Sequence, residues 1–174
     1  MAAGDPVLQV SIVDRELVRV AAVRSIVAAE DVPDLMSDAL AMVADALQRV
    51  GLAPAGPPFA RYFSTGADGL DMQAGLPVRE PFLGFAVVHP DELPAGPAAV
   101  TTHVGSYGGL SAAWAALRAR IDQLGRTRAD HPWEIYFVGP GSGADESEWR
   151  TELVWPLAPE GAAEPGGAPE GAHS

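Results

Sequence analysis

Apolar residues recur every three or four positions through "PDLMSDALAMVADALQRV" (33–50), which places Met36, Leu40, Val43, Leu47 and Val50 on one stripe. That period predicts an amphipathic helix. Pro33 suits its first turn, where a missing amide hydrogen costs nothing, and Gly51 suits its stop. The period returns in "GGLSAAWAALRARIDQLG" (108–125), with Leu110, Trp114, Leu117, Ile121 and Leu124 on the stripe and Gly125 at the end. This pattern assigns Trp114 to the core. Elsewhere the apolar residues alternate or run together in short stretches. "VRVAAVRSIVA" and "AAVTTHVGSY" precede the two helices; "FARYFST" with "LDMQAGLPV", and "WEIYFVG" with "RTELVWPL", follow them. These read as β-strands.

The two halves are copies. Shifting the chain by 74 residues lays "DALAMVADALQRVGLAPAGPPFARYF" (38–63) over "AAWAALRARIDQLGRTRADHPWEIYF" (112–137) without a gap. Leu40 then meets Trp114, Leu47 meets Ile121, Gly51 meets Gly125, Pro58 meets Pro132, and Tyr62-Phe63 meets Tyr136-Phe137. A long match at one spacing indicates a duplicated unit. The expected fold is α+β: two β-α-β-β units related by a pseudo-twofold, with an antiparallel sheet and both helices on one face. Such a duplication creates a cleft along the pseudo-axis, where both halves supply side chains to a ligand.

In "HPWEIYFVGPG" (131–141), Trp133, Ile135 and Phe137 alternate with Glu134, Tyr136 and Val138. One strand face is therefore apolar, and the other sets a carboxylate beside a phenol. The first copy has Ala60 where the second has Glu134. A residue needed to build the repeat belongs in both copies, so the asymmetry points to function. Two uses remain open: a buried acid that selects positively charged ligands, or a structural acid bonded to a tyrosine or paired with Arg61 or Arg150.

Charge and composition narrow the classes. All eleven basic residues are arginines, and the net charge of −12 disfavours a phosphate backbone as partner. Without cysteine there is no thiol chemistry and no thiolate-bound zinc, and His89, His103, His131 and His173 lack ligand spacing. The glycines of "GPGSGA" follow a strand but lead into acidic "DESEW", the wrong context for a phosphate loop. No stretch approaches the ~20 apolar residues of a membrane span, and no signal sequence opens the chain, so a cytoplasmic location is expected. Residues 1–157 are expected to form one domain, followed by an Ala/Gly/Pro/Glu tail (158–174) expected to be disordered. Arg150 and Glu152 share a strand face and predict an ion pair with each other or across the sheet. Tyr107, in "GSYGG" at the start of the second helix, suits packing and pocket lining equally.

Taken in order, "APAGPPFARYF", "THVGSYGGL", "PWEIYFVGPG" and "EWRTELVWPL" resemble the GyrI-like small-molecule-binding domain, met also as the effector-binding domain of multidrug-responsive transcription activators. The resemblance spans roughly residues 7–157. It implies a pocket for bulky aromatic, often cationic, compounds, built around a buried glutamate among aromatics. Glu134 occupies the matching position, with Tyr62, Tyr107, Tyr136 and Trp155 as the nearest aromatic candidates. Lacking a helix-turn-helix before residue 7, the chain matches stand-alone members. The implied function is sensing or sequestering a hydrophobic aromatic compound, cationic or neutral, without turnover, cofactor, metal, direct nucleic-acid binding or membrane. Two alternatives come with the resemblance. One is a hydrolase of cyclopropane-bearing DNA-alkylating compounds, with Glu134 as general base and Tyr107 or Tyr136 holding the oxyanion. The other is an acidic modulator of DNA gyrase; a separate regulator is a further conceivable partner.

Overall fold

A computed structural model describes residues 8–161. Of the expected tail, residues 162–174 lie outside the described residues. Two helices and eight strands follow in the order β1 (Ser11–Arg15), β2 (Val18–Val27), α1 (Val32–Arg49), β3 (Phe59–Gly66), β4 (Gly69–Pro77), β5 (His89–Leu93), β6 (Gly96–Val104), α2 (Leu110–Gln123), β7 (Trp133–Val138) and β8 (Arg150–Pro156). All strands form one antiparallel sheet in the order β1-β6-β8-β7-β3-β4-β2-β5.

That order reads the same from both ends. β6-α2-β7-β8 repeats β2-α1-β3-β4, as the duplication predicts, and the halves meet where β3 pairs with β7. Each half has one strand more than expected. Five-residue "SIVDR" and "HPDEL" form the outer strands β1 and β5, paired on one side only, and short polar edge strands carry no long apolar run to announce them. They are also exchanged: β1, which opens the first half, pairs with β6 of the second, while β5 pairs with β2 of the first.

The helices end as the sequence predicts, with Gly51 and Gly125 in the left-handed region at φ 76° and 66°. Their buried stripes differ from the expected ones. α1 buries Ala39, Val43, Ala46 and Leu47 and leaves Val50 exposed; α2 buries Ala113, Leu117 and Ile121 and leaves Leu124 exposed. Small residues at the point of closest approach let both helices lie down on the sheet, which shifts each stripe toward its alanines. Burial of Leu47, Leu117 or Ile121 contributes about 1.5–3 kcal/mol each. Beneath the helices, α1 packs on Ala21, Val78 and Phe82, and α2 on Ala99, Leu153 and Leu157. The opposite face carries a third cluster of Val20, Ala22, Phe59, Leu93, Ala98, Trp133 and Val154.

Candidate functional site

The pseudo-twofold axis passes through one residue pair. In the β3–β7 ladder, Phe59 faces Ile135, Ala60 faces Glu134 and Arg61 faces Trp133. Glu134 and Ala60 are thus the same position of the repeat and also direct cross-strand neighbours. Ala74 flanks Ala60 on β4, and Leu153 flanks Glu134 on β8. Ala60 beside the carboxylate and Ala74 beyond it leave that side to longer side chains that reach in from further away.

Three of these converge on it. Tyr62 and Tyr136, equivalent in the two halves, both donate their hydroxyls to Glu134 Oε2, at 2.9 and 2.5 Å. The Trp114 indole N–H, from α2, donates to Oε1 at 2.7 Å. Glu134 is only 3% exposed. Among the described residues it forms no ion pair, because Arg61 lies on the other face of the sheet and Arg150 is exposed at the start of β8. Of the partners expected for a structural acid, the tyrosines are bonded to it and the two arginines are not.

The tyrosines can converge because each strand bulges after them. The β3–β4 register skips Phe63, and the β7–β8 register skips Phe137, the same position in each copy. A bulge adds twist and re-aims its neighbours. Burial, followed by the nearby Glu134 charge, raises the Tyr62 pKa far above the ordinary phenol value. Burial likewise raises Tyr136, with the Tyr62 and Glu134 charges adding to it. Tyr107 is raised by burial and then by Glu134. All three stay hydrogen-bond donors at neutral pH.

A pH dependence follows. A phenol whose folded-state pKa exceeds its unfolded value, about 10, contributes stability that is complete below that pH and is lost as pH rises above it. Spectrophotometric titration should find Tyr62 and Tyr136 ionising only with alkaline unfolding, and Tyr107 ionising late but separately. Three phenols titrating together near pH 10 in folded protein would contradict the arrangement.

The remaining expected residues form a second ring. Tyr107 sets its ring edge-on to Tyr136 at 5.8 Å and against Trp149 at 4.9 Å. Trp155 meets Trp114 edge-on at 5.5 Å, while its own N–H donates to the Ala129 carbonyl at 3.0 Å. Trp155 therefore supports Trp114 and makes no hydrogen bond to the carboxylate. Reading Trp114 as core alone missed its role at the site. Its signal was available: a bulky indole carries an N–H that needs an acceptor when buried, and it stands in the same copy as Glu134. Thr151, opposite Tyr136 in the β7–β8 ladder, was also missed; its buried hydroxyl has no partner among the described residues. Glu152 pairs with Arg15 across the sheet at 2.7 Å, the second of the two partners expected for it.

At the axis Glu134 is almost wholly covered. Two cavities among the described residues lie elsewhere. One of about 550 Å³ runs along β6 beside Leu8 and Gln9, and one of about 240 Å³ opens on the face opposite Glu134, by Phe59 and Trp133. No cluster of histidines and carboxylates suited to a metal occurs among the described residues. No described helix is long and apolar enough to cross a membrane.

The profile of the GyrI-like small molecule binding domain matches residues 8–158. Comparison with curated protein sequences gives no match. Among solved structures, the EcmrR C-terminal domain superposes with a TM-score of 0.77 at 20% identity, covering 87% of this chain and 98% of that one. SAV2435 bound to tetraphenylphosphonium gives 0.62 at 10% identity, covering 87% and 94%. A hydrolase encoded by lin2189 from Listeria innocua gives 0.60 at 12% identity, covering 89% and 94%. At these identities the likeness establishes a shared fold.

Proposed function

Since the chain belongs to the GyrI-like small-molecule-binding domain family, we propose that it binds a lipophilic aromatic cation at Glu134 and releases it unchanged, acting as a sensor or a sink for such compounds. One observation carries this reading: a carboxylate 3% exposed, on the pseudo-twofold axis, held by three neutral donors and no cation. Buried charge without a counter-charge is costly, and an incoming cation supplies what is missing. Tyr62, Tyr136 and Trp114 also set aromatic rings close to the carboxylate, and each good cation–π contact they made would contribute on the order of 0.5–2 kcal/mol. The ligand-bound relative supports the chemistry, because its tetraphenylphosphonium is a cation surrounded by aromatic rings.

Because Glu134 is almost wholly covered, a ligand reaches it only when a side chain yields. Trp114 is the candidate, being half-buried on a helix rather than on the sheet. Its N–H leaves Oε1, the ligand takes that space, and the two tyrosines keep Oε2.

Two probes of one shape and opposite charge test this. Tetraphenylphosphonium should bind with at least tenfold higher affinity than tetraphenylborate, about 1.4 kcal/mol, as read from tryptophan emission. Mass spectrometry should recover the cation intact, and conversion of a bound cyclopropane-bearing compound would favour hydrolysis instead. Equal affinity for the two ions would remove the charge argument.

A further inference from the structure

β1 covers only part of β6. It pairs with residues 96–100 and begins at Ser11, whereas β6 runs on to Val104, paired throughout on its other side with β8. Residues 8–10 do not extend the β1 ladder. The Thr101 hydroxyl, on the helix face with Leu153, donates to the Gln9 carbonyl at 2.7 Å, and Leu8 and Val10 pack into the cluster under α2. The chain is drawn toward the helix, and residues 101–104 keep an outer edge with no neighbouring strand among the described residues.

The alternation of the ladder fixes which groups face out. Along an antiparallel strand, residues that exchange both backbone bonds with one neighbour alternate with residues that turn both groups to the other side. Just beyond the two ends of the β6–β8 ladder, the Leu157 amide donates to the Pro97 carbonyl at 2.8 Å and the Gly105 amide to the Trp149 carbonyl at 2.9 Å. Odd-numbered residues of β6 thus serve β8, and Thr102 and Val104, both exposed, turn N–H and C=O outward. The cavity of about 550 Å³ lies along this edge. Thr101 and His103 line it from one sheet face and Thr102 and Val104 from the other, as a slot at a strand edge requires.

Open edges are ordinarily blunted by charge or proline. β5 carries Pro90, Asp91 and Glu92, and β2, which outruns β5 at residues 23–27, carries Arg24 there. "TTHV" (101–104) carries neither device. The charges around the slot lean negative. Glu152, opposite Thr102, lines it and is paired with Arg15. Beyond Val104, where Gly105 is bonded to Trp149, exposed Asp145, Glu146 and Glu148 outnumber Arg150, on a chain of net charge −12.

We propose that this edge of β6 is a protein-interaction site that takes an extended, basic segment of a partner protein as an added strand. The segment continues the line of β1, antiparallel to β6, with its N-terminal end at Val104. Thr102 and Val104 supply the backbone bonds, β-branched side chains of the segment lie beside theirs, and basic residues at its start meet Asp145, Glu146 and Glu148. Leu8 and Gln9 line the slot from the helix side. An occupant has to pass beneath them, which suits a flexible segment better than the edge of a second folded copy.

The test follows the full chain by residue-resolved amide hydrogen exchange with the peptide acetyl-RRVTVT-amide. In the free protein, the Thr102 and Val104 amides should exchange about tenfold or more faster than those of Thr101 and His103, and the peptide should slow them by a similar factor. The same peptide N-methylated at its last four residues, and so without those donors, should bind about tenfold or more weakly. Acetyl-EEVTVT-amide should also bind more weakly. Thr102→Pro removes one outward N–H and none that serves β8, so the variant should fold and bind the parent peptide about tenfold or more weakly. Should it fail to fold, the N-methylated peptide still decides. Equal affinity for the methylated and unmethylated peptides, or amides at 102 and 104 that millimolar peptide does not slow, would overturn the proposal. So would protection of those amides before peptide is added, which would mean that a second copy or a terminal segment of the chain already covers the edge. Equal affinity for the arginine and glutamate peptides would overturn the choice of a basic partner.

Discussion

Glu134→Gln is expected to lower affinity for tetraphenylphosphonium by tenfold or more, about 1.4 kcal/mol, and to narrow its advantage over tetraphenylborate. The substitution keeps shape and removes charge, so affinity that came from ring packing would persist. It also disturbs the unliganded protein. All three partners of Glu134 are donors, and an amide offers one acceptor and one donor in place of two acceptors. One of Tyr62, Tyr136 and Trp114 must face an NH₂ group or turn away, costing about 1–3 kcal/mol of stability. Urea denaturation beside the ligand titration separates the two effects. Full stability with lost affinity marks a binding residue; lost stability with unchanged affinity per folded molecule marks a structural acid and sinks the cation reading.

A larger effect is expected from Ala60→Glu. The substitution would restore sequence symmetry at the axis by placing a second carboxylate directly opposite Glu134. Side chains paired across antiparallel strands have Cβ atoms about 4.5–5.5 Å apart, and here both acids would be buried beneath the helices. Two like charges at that distance cannot both remain ionised, so one takes up a proton. Destabilisation of about 3–5 kcal/mol is expected at pH 7, the size seen when a buried charge loses its compensation. The sign with pH follows. The folded variant binds a proton that the unfolded chain releases near its ordinary carboxylate value, so its stability should rise as pH falls from 7 toward 5. Thermal denaturation across that range, set against the parent protein, reads this directly. A variant as stable as the parent at pH 7 would mean that Ala60 does not face the carboxylate in solution.

The parts of the fold written in long periodic runs were legible. Both helices, their glycine stops, the six long strands and the duplication follow from spacing alone, because an apolar stripe repeated over four turns, or a gapless match at one offset, has few alternative readings. The exchanged strands β1 and β5 were not legible, since five polar-leaning residues at a sheet edge satisfy neither period. At the site, Glu134 and Tyr136 were found because alternation along a strand fixes which side chains share a face, and Tyr62 because the repeat sets it over Tyr136 within a motif of the family resemblance. Trp114 does pack against the core cluster under α2, but its hydrogen bond to Glu134 was not legible, because helical periodicity reports only which face of a helix meets the sheet. Whether an indole on that face buries its N–H against hydrocarbon or against a carboxylate depends on what lies beneath it, and only the β3–β7 register supplies that.

The exchange of β1 and β5 bears on why a single carboxylate can occupy the axis at all. One half by itself would leave β2 or β6 without its outer neighbour, so its natural form would be a pair of identical subunits, each lending a strand to the other. Identical subunits obey their symmetry at every position. Whatever residue stood on the dyad would stand there twice, giving two alanines and no charge, or two glutamates and mutual repulsion. Joining both halves in one polypeptide lifts that constraint. It lets Ala60 and Glu134 differ, and it is the condition for a single carboxylate at the centre of the sheet.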